Sequence, residues 1–511
     1  MKRALISVSD KTDIVKFAKS LVKNNYEIIS TGGTRKILEE NNVKTKSIDE
    51  VTGFPEILEG RVKTLHPNVH GGLLALRDKV THITDVKENG IEYIDMVVVN
   101  LYPFKETIAR PNITFDEAIE QIDIGGPSMV RSGAKNYQFV TVVTDQTDYE
   151  KVIFEIEHFG DTTLQTKKRL SAKAFRLTAA YDACISNYLT KEENNDFPES
   201  LTLTFNYKQE MRYGENPHQT AALYASKNNK YSILEAQILN GKPLSYNNIQ
   251  DANAAINILK EFREPTAVAL KHMNPCGVAS AEKLFDAYIS AYSSDPVSIF
   301  GGIVALNGEV TLDLAIELNK TFLEIVIAPS YDFEALEELK KKKNLRVLVL
   351  ETAAENSDKM QLVSVNGGIL VQQLDDYIIP LEDLVNVTEL PVTQEDLDEL
   401  YFSWKIVKHV KSNAIVISSG KKTIGIGAGQ MNRVGAAKIA LENAKDLGYS
   451  ENLTLSSDAF FPFDDVVRLA SKYGVSKIIQ PGGSIRDKDS IQACNELGIK
   501  MVFTNNRHFK H

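Results

Sequence analysis

The stretch RALISVSDKTDIVKFAKSLVKNNYEIISTGGTRKILEEN, Arg3 to Asn41, decides the fold class of the first part of the chain. RALISVS and YEIIST are apolar runs typical of strands, and GGTRKILEEN opens a helical pattern. Between the two runs, apolar residues recur at helical spacing on one face, which comprises Ile14, Phe17, Ala18, Leu21 and Val22. Because strands that alternate with helices form a parallel sheet covered on both faces, we predict an α/β fold with a doubly wound parallel sheet.

The alternation continues downstream and then stops at a polar segment. MVVVNLYPF, Met96 to Phe104, is predicted to be one apolar strand, and ITFDEAIEQI contains a capping box formed by Thr114 and Glu117. A long helical pattern, Leu164 to Thr190, precedes the polar stretch KEENNDFPES. We place the domain boundary there, which gives a first domain at 1–197, with its sheet core at 1–145 and a helical remainder, and a second domain at 198–511.

The second domain again mixes strands and helices. Strand-like segments are VSIFGGIVAL, EIVIAP, LRVLVLE, AIVISSGKKTIGIGAG, LTLSSDAFF, SKIIQPGGS and KMVFTNN. The fourth segment contains a hairpin turn at Ser419 and Gly420. Helical segments such as DDVVRLASKYG separate the later strands, and we therefore predict two mixed α/β subdomains.

Composition excludes several classes of protein. The 511 residues carry a formal charge of −10, a weak field for this length that disfavours non-specific binding to nucleic acid. Cys184, Cys276 and Cys494 form neither a disulfide framework nor a CxxC zinc site. The N-terminal apolar run is too short for a signal peptide, and no segment approaches the roughly 20 apolar residues that span a bilayer. We expect a cytoplasmic protein.

Two glycine- or hydroxyl-rich turns in the first domain could hold a phosphate. SVSDK (Ser7 to Lys11) and STGGTR (Ser30 to Arg35) each follow a predicted strand and open a helix. Free N–H groups at a helix start attract anions, and ligands bind where parallel strands end. Each turn taken alone is more simply explained as an ordinary strand-to-helix cap.

Two further stretches concentrate charge. EGRVKTLHPNVHGG is predicted to be a basic substrate-binding loop, and because Pro67 separates His66 from His70 we do not expect the two imidazoles to be partners on one helix. IDIGGPSMVRSGAKN brings Asp123, a Gly-Gly turn, Arg131 and Lys135 close together in sequence.

In the second domain, TAVALKHMNPCGVAS reads as a buried strand that ends at Lys271 and His272, followed by an Asn-Pro-Cys-Gly turn. RYGENPHQ is an irregular polar loop. GIGAGQMNR has Gln430 where a dinucleotide-binding loop has its third glycine, so a nicotinamide cofactor is not indicated.

These motifs, in this order over the whole chain, resemble one family. SVSDKT, STGGT, GRVKTLHP, NLYPF, DIGG and AKN, followed by RYGENPHQ, LKHMNPCG, GIGAGQ, SDAFFPF and TNNRHFKH, are similar to the bifunctional purine-synthesis enzymes that combine AICAR formyltransferase with IMP cyclohydrolase. The resemblance implies a methylglyoxal synthase-like first domain, two cytidine-deaminase-like subdomains in the second, and a homodimer. It implies formyl transfer from 10-formyltetrahydrofolate to the amine of AICAR, then dehydrative closure to IMP. It implies no zinc, leaves a structural monovalent cation open, and involves neither nucleic acid nor membrane.

For formyl transfer, the resemblance makes His272 the base and Lys271 the group that stabilises the oxyanion or leaving group, with Asn413 on the reacting amide and Arg433 facing the phosphate. Glu324 stands where the family often has Asp. The AICAR contacts implied are Arg212, Tyr213, Phe300, Gly301, Glu324 and Arg433. The folate contacts implied are Val434, Phe460, Asp465, Ser484, Ile485 and Arg507.

For ring closure, the resemblance makes Lys135 the proton donor or acceptor, with Tyr102, Asp123 and Lys63 arranging the reacting groups. The remaining substrate contacts that it implies are Ser9, Asp10, Lys11, Thr31, Gly32, Gly33, Thr34, Arg61, Thr64, Asn100 and Gly125.

Three other functions remain as alternatives. A zinc-dependent nucleoside deaminase would need the HxE and PCxxC pairing that this sequence lacks. A methylglyoxal synthase-like lyase would explain only the first domain. A non-catalytic nucleotide-binding regulator would bind AICAR without turnover and would not need Lys271, His272 or Lys135.

Overall fold

The chain forms two compact units in a computed structural model that describes residues 1–192, 197–226, 232–351 and 359–511. Unit 1 is Met1–Thr204 and unit 2 is Phe205–His511. The predicted boundary, between residues 197 and 198, lies seven residues before this division. Four residues of the polar stretch on which it rests, 193–196, are outside the described residues.

Unit 1 is built around a parallel five-stranded sheet. Its strands are β1 Lys2–Val8, β2 Tyr26–Ser30, β3 Thr45–Ser47, β4 Met96–Asn100 and β5 Thr141–Val143. Its helices are α1 Ile14–Lys23, α2 Gly32–Glu40, α3 Ile48–Thr52, α4 Pro67–Leu74, α5 Val80–Glu88, α6 Phe104–Ile108, α7 Phe115–Glu120, α8 Gly125–Lys135, α9 Tyr149–Phe159 and α10 Leu164–Glu192. The strand order is β3-β2-β1-β4-β5 with every pair parallel, which confirms the predicted doubly wound sheet.

Local patterns in unit 1 match the sequence in part. Four residues of the predicted face of α1 are buried, but Val22 is 43% exposed. The capping box of Thr114 and Glu117 is present at the start of α7. The apolar run from Met96 is a strand only as far as Asn100, since Pro103 cannot donate to a ladder and Phe104 begins α6.

Unit 2 contains the remaining elements. Its strands are β6 Asn206–Met211, β7 Ala221–Ala225, β8 Gln237–Asn240, β9 Thr266–Lys271, β10 Asn274–Ser280, β11 Ile303–Leu306, β12 Ile325–Ala328, β13 Arg346–Val349, β14 Met360–Val365, β15 Gly368–Gln373, β16 Val385–Asn386, β17 Ile415–Ser418, β18 Thr423–Gly427, β19 Leu453–Ser457, β20 Val475–Gln480 and β21 Lys500–Phe503. Its helices are α11 Tyr246–Leu259, α12 Leu284–Ser294, α13 Leu312–Asn319, α14 Phe333–Lys340, α15 Gln394–Val407, α16 Arg433–Asp446, α17 Asp465–Ser471 and α18 Asp487–Leu497.

Two mixed six-stranded sheets organise unit 2. Their orders are β10-β9-β11-β12-β13-β8 and β16-β21-β20-β19-β17-β18. One buried apolar cluster joins α11 and α15 to both sheets. The hairpin predicted at Ser419 and Gly420 connects β17 to β18. Two subdomains of mixed α/β structure are therefore present, as the sequence predicts. Within the described ranges, no helix has the length and apolar character needed to span a bilayer.

A buried charged cluster anchors the end of α15. The Glu261 carboxylate lies 2.9 Å from Nε2 of His409 and 3.2 Å from Nζ of Lys408, and all three side chains are under 10% exposed. Burial lowers the pKa of His409 to about 4, so its imidazole is neutral. Burial alone would raise the pKa of Glu261, but the hydrogen bond from His409 and the charge of Lys408 outweigh it and lower that pKa to about 2. This cluster fixes the segment that leads to Asn413.

Glu261→Ala is expected to reduce the free energy of unfolding of unit 2 by about 3–5 kcal/mol, because it leaves Lys408 buried without a counter-charge. Trp404, the chain's single tryptophan, is buried in α15 and reports on unit 2 during urea unfolding. The stabilisation by Glu261 is complete above its ordinary pKa of 4.5 and is lost as the pH falls towards 2. The parent chain should therefore lose stability as the pH falls from 4.5 towards 2, and this loss should be smaller in Glu261→Ala.

The matched control is Glu282→Ala, which removes an exposed carboxylate from the same unit. It should change the free energy of unfolding by no more than about 0.5 kcal/mol. Equal stabilities for the two variants would show that the buried carboxylate does not hold Lys408.

Candidate functional site

Unit 1 has a cavity of about 590 Å³ at the carboxyl ends of β1, β2 and β4. Open parallel sheets bind ligands at this edge. Thirteen of the residues predicted for ring closure line the cavity: Ser9, Lys11, Thr31, Gly32, Gly33, Thr34, Arg61, Lys63, Thr64, Asn100, Tyr102, Asp123 and Gly125.

One end of the cavity is suited to an anion. The first residues of α2, Gly32 and Gly33, present the N–H groups of a helix start to the cavity. Thr34 is fixed beside them, because its hydroxyl accepts the backbone N–H of Val8 at 3.0 Å. Lys11 brings a positive charge to the same end and donates to the carbonyl of Ser9 at 3.1 Å. The two turns that could each be an ordinary cap therefore meet around one cavity.

Asp10 is the first predicted contact that does not line this cavity. Its backbone N–H donates to Oδ1 of Asn100 at 3.0 Å, and Nδ2 of Asn100 donates back to its carbonyl at 2.9 Å. The carboxylate of Asp10 accepts the hydroxyl of Thr12 at 2.7 Å. Asp10 thus shapes the loop after β1, and its predicted contact with the substrate stays a prediction.

The cavity is also lined by a half-buried carboxyl group, that of Asp123. Oδ1 of Asp123 accepts the N–H of Gly126 at 2.8 Å, and a Cβ on Gly126 would lie 2.3 Å from Oδ2 of Asp123, so a larger residue there would displace this carboxylate. Burial raises the pKa of Asp123, while the Gly126 N–H and the charge of Lys63 act in the opposite direction. The predicted Gly-Gly turn is wrong, since Gly125 and Gly126 are the first residues of helix α8.

Lys135 is the second predicted residue that the cavity does not include. It is exposed at the last position of α8, whose first residue, Gly125, lines the cavity. Ten residues of helix separate the two positions by about 15 Å. Lys63 lines the cavity and acts electrostatically on Asp123. It is therefore the lysine that this structure places near the Asp123 carboxyl group.

The predicted basic loop becomes helix α4 from Pro67 onward. His66 is its N-cap and accepts the N–H of Asn68, and the N–H of His70 donates to the carbonyl of His66 at 3.0 Å. The two histidines are thus i and i+4 at one helix start, contrary to the prediction, because proline is favourable at the first helical position. Their rings have different partners, since Nδ1 of His70 lies 2.9 Å from the hydroxyl of Ser132. Among the described residues, no group of three or more His, Cys, Asp or Glu side chains is arranged to hold a metal ion.

In unit 2, the Lys271-His272 pair lies on a hairpin. β9 ends at Lys271, and β10 begins at Asn274, so His272 and Met273 form a two-residue turn with φ of 55° and 62°. The predicted Asn-Pro-Cys-Gly turn is wrong, because those residues pair with β9 in β10, with an irregularity between Pro275 and Gly277. His272 is exposed at the tip. Met273 packs against the buried apolar cluster that joins α11 and α15 to both sheets, called the main apolar cluster below.

Lys271 points along the edge of the first sheet. Its Nζ donates to the carbonyl of Phe300 at 2.8 Å. The strand pairing aligns the end of β9 with the starts of β11 and β12, which places Glu324 at the same edge. Glu324 is ion-paired with Arg346 at 2.7 Å. The structure thus brings Lys271, Phe300, Gly301 and Glu324 to one edge.

The corresponding edge of the second sheet carries Asn413 and Arg433. Nη2 of Arg433 donates to Oδ1 of Asn413 at 2.8 Å, and Nη1 donates to the hydroxyl of Ser457 at 2.8 Å and to the buried carboxylate of Asp458. Arg433 is only 8% exposed. The guanidinium of Arg433 thus holds Asn413 in place, and its predicted role of receiving the phosphate stays a prediction.

The remaining predicted contacts lie in loops of unit 2. Phe460, Ser484 and Arg507 follow the carboxyl ends of β19, β20 and β21, which are parallel neighbours. Val434 and Asp465 lie in the first turns of α16 and α17, and Ile485 is fully exposed. Arg212 and Tyr213 follow β6, with the Arg212 guanidinium 5.5 Å from the Tyr213 ring.

Sequence reasoning missed three polar residues that fix the unit 2 groups: Asp251, Asn274 and Asp458. Asp251 accepts the N–H of Met273 at 2.8 Å, and Oδ1 of Asn274 accepts the N–H of Lys411 at 3.1 Å. Asp251 lies within a helix, and its sequence neighbours give no signal. Asp458 could have been found, since it directly follows a buried strand in SSDAFF.

Comparison with known proteins covers the whole chain. A family model described as "AICARFT/IMPCHase bienzyme" matches residues 133–443, and one described as "MGS-like domain" matches residues 13–128. The bifunctional purine biosynthesis protein PurH of Bacillus cytotoxicus is 56% identical over 511 residues, and that of Anoxybacillus flavithermus is 57% identical, each with 100% of both chains covered. The chain belongs to the AICARFT/IMPCHase bienzyme family and catalyses the last two steps of de novo purine biosynthesis, formyl transfer to AICAR and closure of the product to IMP.

Proposed function

We propose that ring closure takes place in the unit 1 cavity. We propose that formyl transfer takes place in unit 2, at the ends of the two sheets that carry Lys271 and Asn413. The main support is that two groups of reactive side chains lie in two different places. Lys63 and Asp123 line the cavity that also contains the helix start at Gly32 and Gly33, which is suited to an anion. Lys271 and His272 instead lie at a hairpin turn. The match of the MGS-like model to residues 13–128 supports a separate active centre in unit 1.

For formyl transfer, the AICAR amine is a weak nucleophile because its lone pair is conjugated with the imidazole carboxamide. In our proposal the amine nitrogen attacks the formyl carbon of 10-formyltetrahydrofolate while His272 takes its proton. The carbon–N10 bond then breaks, N10 receives a proton, and tetrahydrofolate leaves. Lys271 supplies positive charge near the oxygen that becomes negative.

Asn413 is proposed to orient the carboxamide beside the amine. Its Nδ2 donates to the carbonyl of Gln430 at 2.9 Å, and its Oδ1 accepts from Arg433, so the amide is held at both ends. Arg433 therefore acts through Asn413 in this proposal. The folate is proposed to lie along the loops after β19, β20 and β21, with Phe460 as apolar surface for the pterin.

Closure needs less from the protein, because nucleophile and electrophile belong to one molecule. Correct orientation alone can lower such a barrier by as much as about 7–11 kcal/mol. We propose that the N–H groups at the start of α2 hold the phosphate. Lys63, Asp123 and Tyr102 are proposed to orient the carboxamide nitrogen towards the formyl carbon. A carbon–nitrogen bond forms, the formyl oxygen leaves as water, and the cavity's acid and base groups move the protons.

Assembly and location are proposed on the family resemblance. A homodimer is supported by exposed apolar side chains near the proposed formyl-transfer site, since Met431 and Ile485 are fully exposed in the single chain and Phe300 is 60% exposed. We propose a cytoplasmic enzyme whose partners are AICAR, formyl-AICAR and the folate, and we assign no residues to a structural monovalent cation.

Separate active centres are testable by mixing two inactive full-length variants. His272→Ala should form no formyl-AICAR, and Lys63→Ala should form it without closing it. A mixture given AICAR and 10-formyltetrahydrofolate should release tetrahydrofolate and produce IMP, followed together by absorbance and chromatography. Failure of the mixture to produce IMP, with each protein folded, would contradict two independent centres that exchange a free intermediate. Binding of AICAR by the parent chain without turnover would favour the regulator alternative.

A further inference from the structure

The His272 turn has an unusual backbone for its sequence. Two-residue hairpin turns with positive φ at both positions are normally made by Asn-Gly or Asp-Gly, whereas here the residues are His272 and Met273. Positive φ is costly for a residue with a Cβ and persists only where the surrounding structure enforces it. Something outside the turn must therefore hold it.

The side chain that holds the turn comes from α11. Oδ1 of Asp251 accepts the backbone N–H of Met273 at 2.8 Å. Asp251 is half-buried, and the helix that carries it packs in the main apolar cluster. The carboxylate thus accepts an N–H group of the turn that has no partner in the strand ladder.

The other side of the turn is tied to the second sheet. Nδ2 of Asn274 donates to the carbonyl of His272 at 3.1 Å, while its Oδ1 accepts the N–H of Lys411, two residues before Asn413. The peptide groups around His272 are therefore held from both directions, and the imidazole is the part left free to reach substrate.

We propose that Asp251 is a positioning residue for formyl transfer, which fixes the strained turn at His272–Met273 so that the imidazole is presented at the distance that proton removal requires. This inference rests on the proposed role of His272. Asp251 acts through the backbone of the turn, and the feature that matters is an oxygen acceptor at that point.

The test compares Asp251→Ala with Asp251→Asn in the full-length protein. Loss of the acceptor should lower kcat for formyl transfer by on the order of 10²-fold, since a displacement of about 1 Å has that effect, with little change in KM for AICAR. Asparagine retains an oxygen acceptor and should restore most of kcat. Asn253→Ala, an exposed change two residues along the same helix, is the matched control and should leave kcat unchanged.

Two further measurements separate this inference from a folding defect and from the proposed function. Closure of added formyl-AICAR and Trp404 fluorescence should be the same in all of these proteins. An Asp251→Ala protein with parental kcat, while His272→Ala is inactive, would overturn the inference alone. Equal losses in Asp251→Ala and Asp251→Asn would also overturn it, because charge would then be the cause. Formyl transfer by His272→Ala would overturn the inference and the proposed function together.

Discussion

His272→Ala should abolish formyl transfer and leave ring closure intact. A positioned base contributes about 10²- to 10⁴-fold in rate, and His272 carries the exposed imidazole at the hairpin tip. The measurement is tetrahydrofolate release from AICAR and 10-formyltetrahydrofolate, with IMP formation from added formyl-AICAR in the same preparation. Closure should proceed at the parental rate, because the cavity lies wholly within unit 1.

The matched control is His158→Ala, which removes another exposed imidazole from a helix of unit 1. It should change neither rate. Retention of formyl transfer by His272→Ala would remove this residue from the mechanism. Loss of both steps in a folded variant would contradict the assignment of one activity to each unit.

The elements of the fold could be predicted because their signals are local. β1, α1, β2 and α2 follow from apolar spacing over Arg3 to Asn41, and the parallel order follows from the alternation. The His272 turn was misread for the same reason, since Pro275 and Gly277 are common turn residues whereas His272 and Met273 are not. The contact that makes this turn stable, from Asp251, is set by packing of α11 and has no local pattern.

The candidate sites were predictable as groups of motifs but not as individual roles. Arg433 looks like a free cation in GIGAGQMNR. Its pairing with Asp458, 25 residues further along the chain, depends on β17 bringing β18 and β19 to its two sides in the sheet. Asp123 and Lys135 lie close in the motif, yet a straight helix carries the lysine away from the cavity. Short sequence distance therefore predicts proximity only where the chain turns back.

Lys63→Ala should block ring closure by on the order of 10²-fold or more and cause formyl-AICAR to accumulate during the coupled reaction. Lys63 lines the cavity and acts on the half-buried Asp123 carboxyl group, so its loss removes both a charge for the reacting amide and a proton carrier. Formyl transfer in unit 2 should be unchanged. Lys135→Ala removes the same side-chain type from the exposed end of α8 and should close formyl-AICAR at nearly the parental rate.

The pH dependence of closure distinguishes the two lysines further. The charge of Lys63 lowers the pKa of Asp123, which burial raises, so removing this charge should raise that pKa further. If closure requires the ionised carboxylate, the acidic limb of its rate profile must move to higher pH in Lys63→Ala and stay in place in Lys135→Ala. Accumulation of formyl-AICAR by Lys135→Ala, with a normal rate in Lys63→Ala, would return the proton transfer to the lysine that the family resemblance implies. Such a result would require α8 to bring its last turn to the substrate, because the distance along a rigid helix otherwise keeps that ammonium group away from the cavity.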